Sequence, residues 1–303
     1  MNLILEYRHA VDRLASAQKP GLGVPPYTRW VNRPIGRRLA AGSYVLGLTP
    51  DQVTGLSMVA SVLGLALLVL LAPSVPLGIL IGALMAAGYA LDSADGQLAR
   101  LRGGGGPAGE WLDHVSDQAR HGAMHACVLV YFARFLPDLP RGLLVVPLVY
   151  GVASSTRFLS QILGEQLRCR SDPEGSGRAA PSPTAAREDA RARLRAWAHL
   201  PADPGVLCLA LALSGVPMLF FVTYALLAAL NTVSTIPSLV RRRAELRAFS
   251  GALSPQPADG APRDTRGPET PFSGDSRPGG RGTSGTSRAA HRRDRSTRTT
   301  QSS

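Results

Sequence analysis

Four aspartates fall within twenty-six residues, in the stretch LDSADGQLARLRGGGGPAGEWLDHVSD from Leu91 to Asp117, between two strongly apolar runs. Asp92 and Asp95 are three apart and close the run from Pro76 to Leu91, while Asp113 and Asp117 are four apart and open the run that continues to Phe135. On helices both spacings put side chains on one face. The two pairs then sit at the same end of two antiparallel helices joined by a glycine-rich connection that can fold back tightly. Carboxylates this close repel one another unless cations lie among them. An all-oxygen set suits Mg2+ or Mn2+ rather than zinc, and a site for two divalent cations follows. Gly96, Ala99 and Gly109 are small enough to let a large ligand approach, and Arg100 offers a planar donor fork for phosphate oxygens.

At Asp92, Asp95, Gly96, Ala99, Arg100, Gly109, Asp113 and Asp117 the chain reads DxxDGxxAR, a gap of eight residues, then GxxxDxxxD. That pattern resembles the complete signature of the CDP-alcohol phosphatidyltransferase family. The resemblance runs from about Gly47 to Gln161, and LTPDQVT at Leu48 to Thr54 is similar to the family's usual entry into its first membrane helix. It implies a transferase in phospholipid biosynthesis in which two divalent cations neutralise the pyrophosphate of CDP-diacylglycerol, an alcohol attacks the lipid-linked phosphorus, and CMP leaves. By position, Asp92, Asp95 and Asp113 would be metal ligands. Asp117 would be the base that takes the hydroxyl proton, also touching a metal. Gly96, Ala99, Arg100 and Gly109 would surround the cytidine diphosphate. The resemblance further implies a homodimer. The same motif would serve a different CDP-linked alcohol donor equally well.

The acceptor alcohol is written less clearly. Asp113, Asp117, His121 and His125 follow at four-residue steps, so the histidines continue the aspartate face deeper into the helix, with Arg120 beside them. Polar groups inside a span line a cavity or pair with one another, and an anionic or polyhydroxyl acceptor could use Arg120 and His121. HxxxH spacing without a third ligand favours hydrogen-bonding histidines over a separate metal site. Arg157, in SSTRFLSQ (Ser154 to Gln161), is a further acceptor candidate or a cation snorkelling to the membrane face. Family members with phosphorylated acceptors commonly carry an SxxKARAE-like stretch there. This chain lacks its second basic residue and its acid, which argues against an acceptor bearing phosphate. The run Gly103 to Gly106 lacks the GK[ST] ending of a phosphate loop and reads as a connection.

The elements that must hold these residues are membrane helices. The chain has 303 residues, net charge +12 and 45% hydrophobic residues, but the apolar residues cluster in runs long enough to cross a bilayer. Six spans are expected, at about Pro50 to Leu71, Pro76 to Leu91, Trp111 to Phe135, Gly142 to Gln161, Pro204 to Gly215 and Pro217 to Val240. The fifth is short, and it could begin earlier, near Trp197, or thin the bilayer locally. Around Tyr27 to Tyr44, an apolar stripe of Val31, Ile35 and Leu39 beside Arg29, Arg33 and Arg37 describes an amphipathic helix lying on the membrane surface, drawn to anionic lipid. Arginines gather in the N-terminal region, the loop after Arg168 and Arg241 to Arg243, so the positive-inside rule puts both termini and the aspartates in the cytosol.

The expected class is thus all-α, a polytopic protein of the plasma membrane. It would comprise a cytosolic N-terminal segment (1–46), a membrane domain (47–248) and a disordered basic tail (249–303) too poor in apolar residues to fold. The segment from Cys169 to Arg195 reads as a linker, and REDARARLRAWAHL from Arg187 could form a short surface helix leading into the fifth span. The tail can meet anionic lipid or nucleic acid by charge alone, and nothing in it specifies a nucleic-acid site. Cys127, Cys169 and Cys208 lack CxxC spacing and do not form an even set, which argues against a disulfide framework and against zinc. Glu6, Arg8 and Asp12 interrupt what would be the apolar core of a cleavable signal peptide. A transporter would call for an inverted repeat or paired broken helices, neither visible here. A scaffold would tolerate loss of the aspartates.

Overall fold

In the computed structural model, residues 3–16, 25–171, 200 and 203–253 are described, and among them every regular element is helical. The helices are α1 (Leu3–Ser16), α2 (Arg33–Val45), α3 (Pro50–Leu70), α4 (Val75–Leu101), α5 (Pro107–Phe135), α6 (Val145–Ser171), α7 (Pro204–Leu211) and α8 (Pro217–Leu253). A π-helical turn, Thr28–Asn32, leads into α2, and 3-10 turns at Arg141–Leu144 and Ala212–Gly215 precede α6 and follow α7.

Local chemistry sets the helix starts. Thr49 and Gln52 form a reciprocal capping box, with Pro50 at the first position of α3. Pro107 likewise starts α5 after the glycine run. Close packing then draws the helices together. At Gly88 an added Cβ would fall 2.5 Å from Ser61 Oγ, and at Gly78 one would fall 2.5 Å from the Gly215 backbone nitrogen. These glycines let α4 lie against α3 on one side and against the turn after α7 on the other. At the end of the bundle away from the aspartates, Tyr131, Phe132, Phe220 and Tyr224 form a buried aromatic core with ring centroids 5.4–5.9 Å apart.

Four helical stretches are long and apolar enough to cross a membrane: Pro50–Leu70, Val75–Leu101, Arg141–Arg170 and Pro217–Ala248. The chain is thus a multi-pass membrane protein. Of the six expected spans, the third falls on α5, which has 29 residues but carries Asp113, Asp117 and Arg120 in its first half. The fifth comprises α7 and its 3-10 turn, Pro204–Gly215, which is short; its possible extension toward Trp197 lies outside the described residues. Instead of ending near Leu91, α4 runs on to Leu101, so the link to α5 is only Arg102 to Gly106. Gly103 and Gly104 adopt φ of 101° and 114°, left-handed values that favour glycine.

N-terminal helix α1 was not expected. It packs on α2 and α4 through Ala10 and Leu14, and Arg13 Nη2 donates to the Leu101 carbonyl at 3.1 Å, at the end of α4. The surface-helix segment buries Asn32, Gly36 and Ala40 and leaves Trp30, Val31 and Ile35 exposed, an amphipathic division like the one expected. Most of the Cys169 to Arg195 linker, REDARARLRAWAHL except its last residue, Leu200, and the tail from 254 onward lie outside the described residues, while 249–253, expected in the disordered tail, continue α8 because the helix outruns its apolar stretch.

Candidate active site

Near the C-terminal end of α4 and the N-terminal end of α5 the aspartates converge. Asp92, Asp95 and Asp113 each offer a carboxylate oxygen, all within 4.8 Å of one another. Such a set fits a hard divalent cation. Asp95 is buried and accepts hydrogen bonds from Thr54 Oγ1 and from the Gly96 backbone N–H, so α3 orients it. Asp117 stands beside the three rather than among them. Arg120 spans the gap, donating from Nη1 to Asp117 Oδ1 at 3.3 Å and from Nη2 to Asp92 Oδ1 at 2.9 Å and Ser57 Oγ at 2.7 Å. A buried guanidinium thus offsets carboxylate charge from two helices.

Around this cluster the signature glycines differ from the packing glycines. A Cβ on Gly96 would meet only Arg100 Nη1, at 3.7 Å, and one on Gly109 only Asp51 Oδ1, also at 3.7 Å. No described neighbour requires glycine at either position, which leaves room for a ligand. Arg100 is half-buried, with a buried Nε that has no hydrogen-bond partner, and a Cβ added at Gly105 would meet Ala99 Cβ at 3.5 Å.

Behind the aspartates lies a cavity of about 580 Å³, onto which Asp92, Asp117, Arg120, His121 and Arg157 face. His121 places Nδ1 2.8 Å from the Asp117 carbonyl oxygen, so Nδ1 carries the proton and Nε2 keeps a lone pair; Phe158 stacks on the ring at 5.6 Å. One turn deeper, His125 engages Tyr224 through Nδ1 and Ser154 through Nε2. Both of its ring nitrogens are therefore occupied, and hydrogen bonding accounts for the HxxxH spacing. Arg157 Nη1 donates to Ser234 Oγ at 3.0 Å, tying α6 to α8 at the cavity wall.

Much of the remaining wall escaped the sequence reading. Arg33 comes from α2 and Arg241 and Arg242 from α8. The last two had registered only as a topology signal, and no local motif marks them. Burial lowers the pKa of Arg33 from its ordinary value, and Arg29 adds to the effect. Asp203, buried ahead of α7, accepts from Thr28 N and Oγ1 at 2.9 Å and from Gly205 N at 3.0 Å, and Thr28 Oγ1 lies 2.8 Å from Tyr89 OH. Since the Thr28 hydroxyl donates to Asp203, Tyr89 donates to it. Tyr27 lies so close to Gly205 that any Cβ there would collide with its ring; burial raises the Tyr27 pKa, and Cys208 and Asp203 add to that. This clasp holds the surface segment over the cavity.

Fold and site together define a polytopic helical membrane protein with a carboxylate cluster that opens into an arginine-lined cavity. Residues 47–178 match the family model of CDP-alcohol phosphatidyltransferase. It is 34% identical over 122 residues to phosphatidylinositol phosphate synthase of Corynebacterium glutamicum, covering 40% of this chain and 52% of the relative. The chain thus spans about half the length of that relative. Among solved structures, it is similar to Mycobacterium tuberculosis phosphatidylinositol phosphate synthase crystallised with CDP-DAG bound, at 23% identity and TM-score 0.43, covering 70% of this chain and 93% of that one. The same enzyme in complex with manganese and citrate matches at 24% identity and TM-score 0.43, covering 67% of this chain and 86% of that one.

Proposed function

We propose that this protein transfers a phosphatidyl group from CDP-diacylglycerol to an alcohol, releasing CMP. The observation that carries the proposal is the convergence of Asp92, Asp95 and Asp113, with Asp92 also lining a cavity that Asp117 faces. With Asp117 alongside, these carboxylates would hold two divalent cations, Mg2+ or Mn2+, which when bound stabilise charge on the bridging and leaving phosphate oxygens. Gly96, Ala99, Arg100 and Gly109 form the cytidine diphosphate subsite. Asp117 takes the proton from the acceptor hydroxyl as that oxygen bonds to the lipid-linked phosphorus and the bond to the CMP oxygen breaks. Arg120, which donates to Asp117 Oδ1, orients that carboxylate.

For the acceptor, the cavity supports a reading that the SSTRFLSQ departure had argued against. Arg33, Arg157, Arg241 and Arg242 line it from three helices, replacing a local motif with a spatial one. Four guanidinium groups suit a phosphorylated polyol such as inositol phosphate, with His121 Nε2 accepting from a hydroxyl. The product named in the Corynebacterium relative is of this kind. The membrane domain begins at 47 and ends with α8 at Leu253, preceded by the N-terminal segment 1–46 and followed by the tail. The protein is a homodimer of the plasma membrane, with the site and both termini cytosolic, where the charged loops belong.

The test is to incubate the purified protein in lipid with CDP-diacylglycerol and Mn2+, offer inositol phosphate, glycerol phosphate, inositol, serine and sugar alcohols in turn, and weigh the lipid product by mass spectrometry. A product with a phosphorylated acceptor alone supports the reading. Turnover only with an uncharged alcohol would reject the phosphate assignment, and no product with any acceptor would reject the donor.

A further inference from the structure

Outside the central cavity, the seam between α6 and α8 holds a second feature. Toward the aspartate end of the bundle a groove of about 560 Å³ runs between Leu159 and Leu163 of α6 and Leu239 of α8, and its rim is formed by Arg242, Arg243 and Arg247. A shallower groove of about 360 Å³ continues from it along the same two helices, past Val152 and Ile236. Thr156 lines both, so the two adjoin along the seam. Its apolar walls are uncovered, with Val152 at 68%, Leu159 at 63% and Ile236 at 66% exposure. The stretch containing α6 is also the least buried of the four apolar stretches, at 11% against 33–39% for the others.

We propose that this seam binds one anionic phospholipid of the surrounding leaflet, with an acyl chain in the groove and the headgroup phosphate on Arg242, Arg243 and Arg247. Charge argues for that occupant. Three arginines at one end of an apolar groove on a membrane helix match a lipid that has phosphate at one end and hydrocarbon at the other. Glu245, the acid nearest them in sequence, pairs with Arg168 at 3.1 Å across the same two helices. A second copy docked here by two-fold symmetry would set arginine rim against arginine rim, with like charges opposed.

Gly164 adds a structural reason. A Cβ there would sit 2.9 Å from Arg242 Cδ, so the glycine lets the Arg242 stem lie across α6. Arg242 faces both the groove and the central cavity. A phosphate in the groove therefore holds a side chain of the cavity wall, and leaflet composition reaches the site through it.

The test is native mass spectrometry of the full chain released from micelles containing phosphatidylglycerol or phosphatidylcholine. Phosphatidylglycerol is expected to be retained preferentially, and millimolar glycerol phosphate is expected not to displace it. An Arg243→Gln/Arg247→Gln variant, altered outside the central cavity, should lose retention roughly thirtyfold, as two basic contacts near an anionic headgroup predict. Leu163→Trp, which fills the groove without touching its charges, should also lose it. Equal retention of phosphatidylcholine, displacement by glycerol phosphate or unchanged retention in either variant would overturn the assignment. A Leu163→Trp protein that changes its oligomeric state would give the groove to a second copy instead.

Discussion

Arg120 on α5 donates through Nη2 to Asp92 Oδ1 on α4 at 2.9 Å, binding the two halves of the aspartate motif to each other. The contact makes a charged side chain in the middle of a membrane protein part of the electrostatics of the proposed metal site. Removing a partner from such a buried pair costs about 3–5 kcal/mol because the remaining charges are uncompensated. Arg120→Ala should therefore lower the metal-free Tm, and Mn2+ should raise the variant's Tm by more than it raises that of the parent, since added cations replace the missing one. Thermal unfolding with and without Mn2+ reads this. An equal Mn2+ shift in both proteins would show that Arg120 does not share charge with the cluster.

Thr54 holds Asp95 from a third helix. A hydrogen bond to a charged group contributes roughly 1.5–3 kcal/mol, and loss of a partner that orients a ligand weakens metal binding roughly tenfold or more. Titration calorimetry with Mn2+ should show that loss in Thr54→Val and not in Thr54→Ser.

The glycines of α4 divide into two groups that a paired substitution separates. Gly88→Ala puts a methyl 2.5 Å from Ser61 Oγ and 3.1 Å from the Ser57 carbonyl and should unfold more easily than the parent. Gly96→Ala meets nothing closer than 3.7 Å and gains helix propensity of about 1 kcal/mol. It should keep or raise Tm while weakening CDP-diacylglycerol binding. A Gly96→Ala protein with unaltered donor affinity would remove Gly96 from the nucleotide subsite.

Asp203 clasps the surface segment to α7, and without its carboxylate the Thr28 and Gly205 N–H groups are left buried and unpaired. At about 1–3 kcal/mol per orphaned group, Asp203→Ala should lower stability measurably. Because Thr28 and Tyr89 line the cavity proposed to take the acceptor, KM for the acceptor should rise more than KM for the donor. Equal changes in both would make the clasp purely structural.

The aspartates could be read in advance because their geometry is local. Spacings of three and four residues on two successive helices bring carboxylates together whatever the rest of the chain does. Convergence across distant segments has no such signature. Arg33, Arg241 and Arg242 meet only because α2 and α8 pack around the same cavity, and their helices look like ordinary basic ends in the sequence. Helix α1 was missed since its apolar residues, Ala10 and Leu14, are buried against neighbours far along the chain. The apolar run stops at Leu91 because Asp92 and Asp95 carry charge, whereas the helix continues for six residues beyond Asp95, to Leu101. In the same way, Arg120 drew attention as an acceptor contact. Its neighbours Asp92 and Asp117 show that it belongs first to the carboxylates.

The most direct test of the central claim is CMP release from CDP-diacylglycerol by the purified full chain with inositol phosphate, measured with Mn2+, with chelator, and in Asp117→Asn. The account predicts release that requires the cation and the acceptor and is abolished in Asp117→Asn, which should keep the parent's Mn2+-free Tm to within a few degrees. Release that persists in chelator or in Asp117→Asn would contradict it.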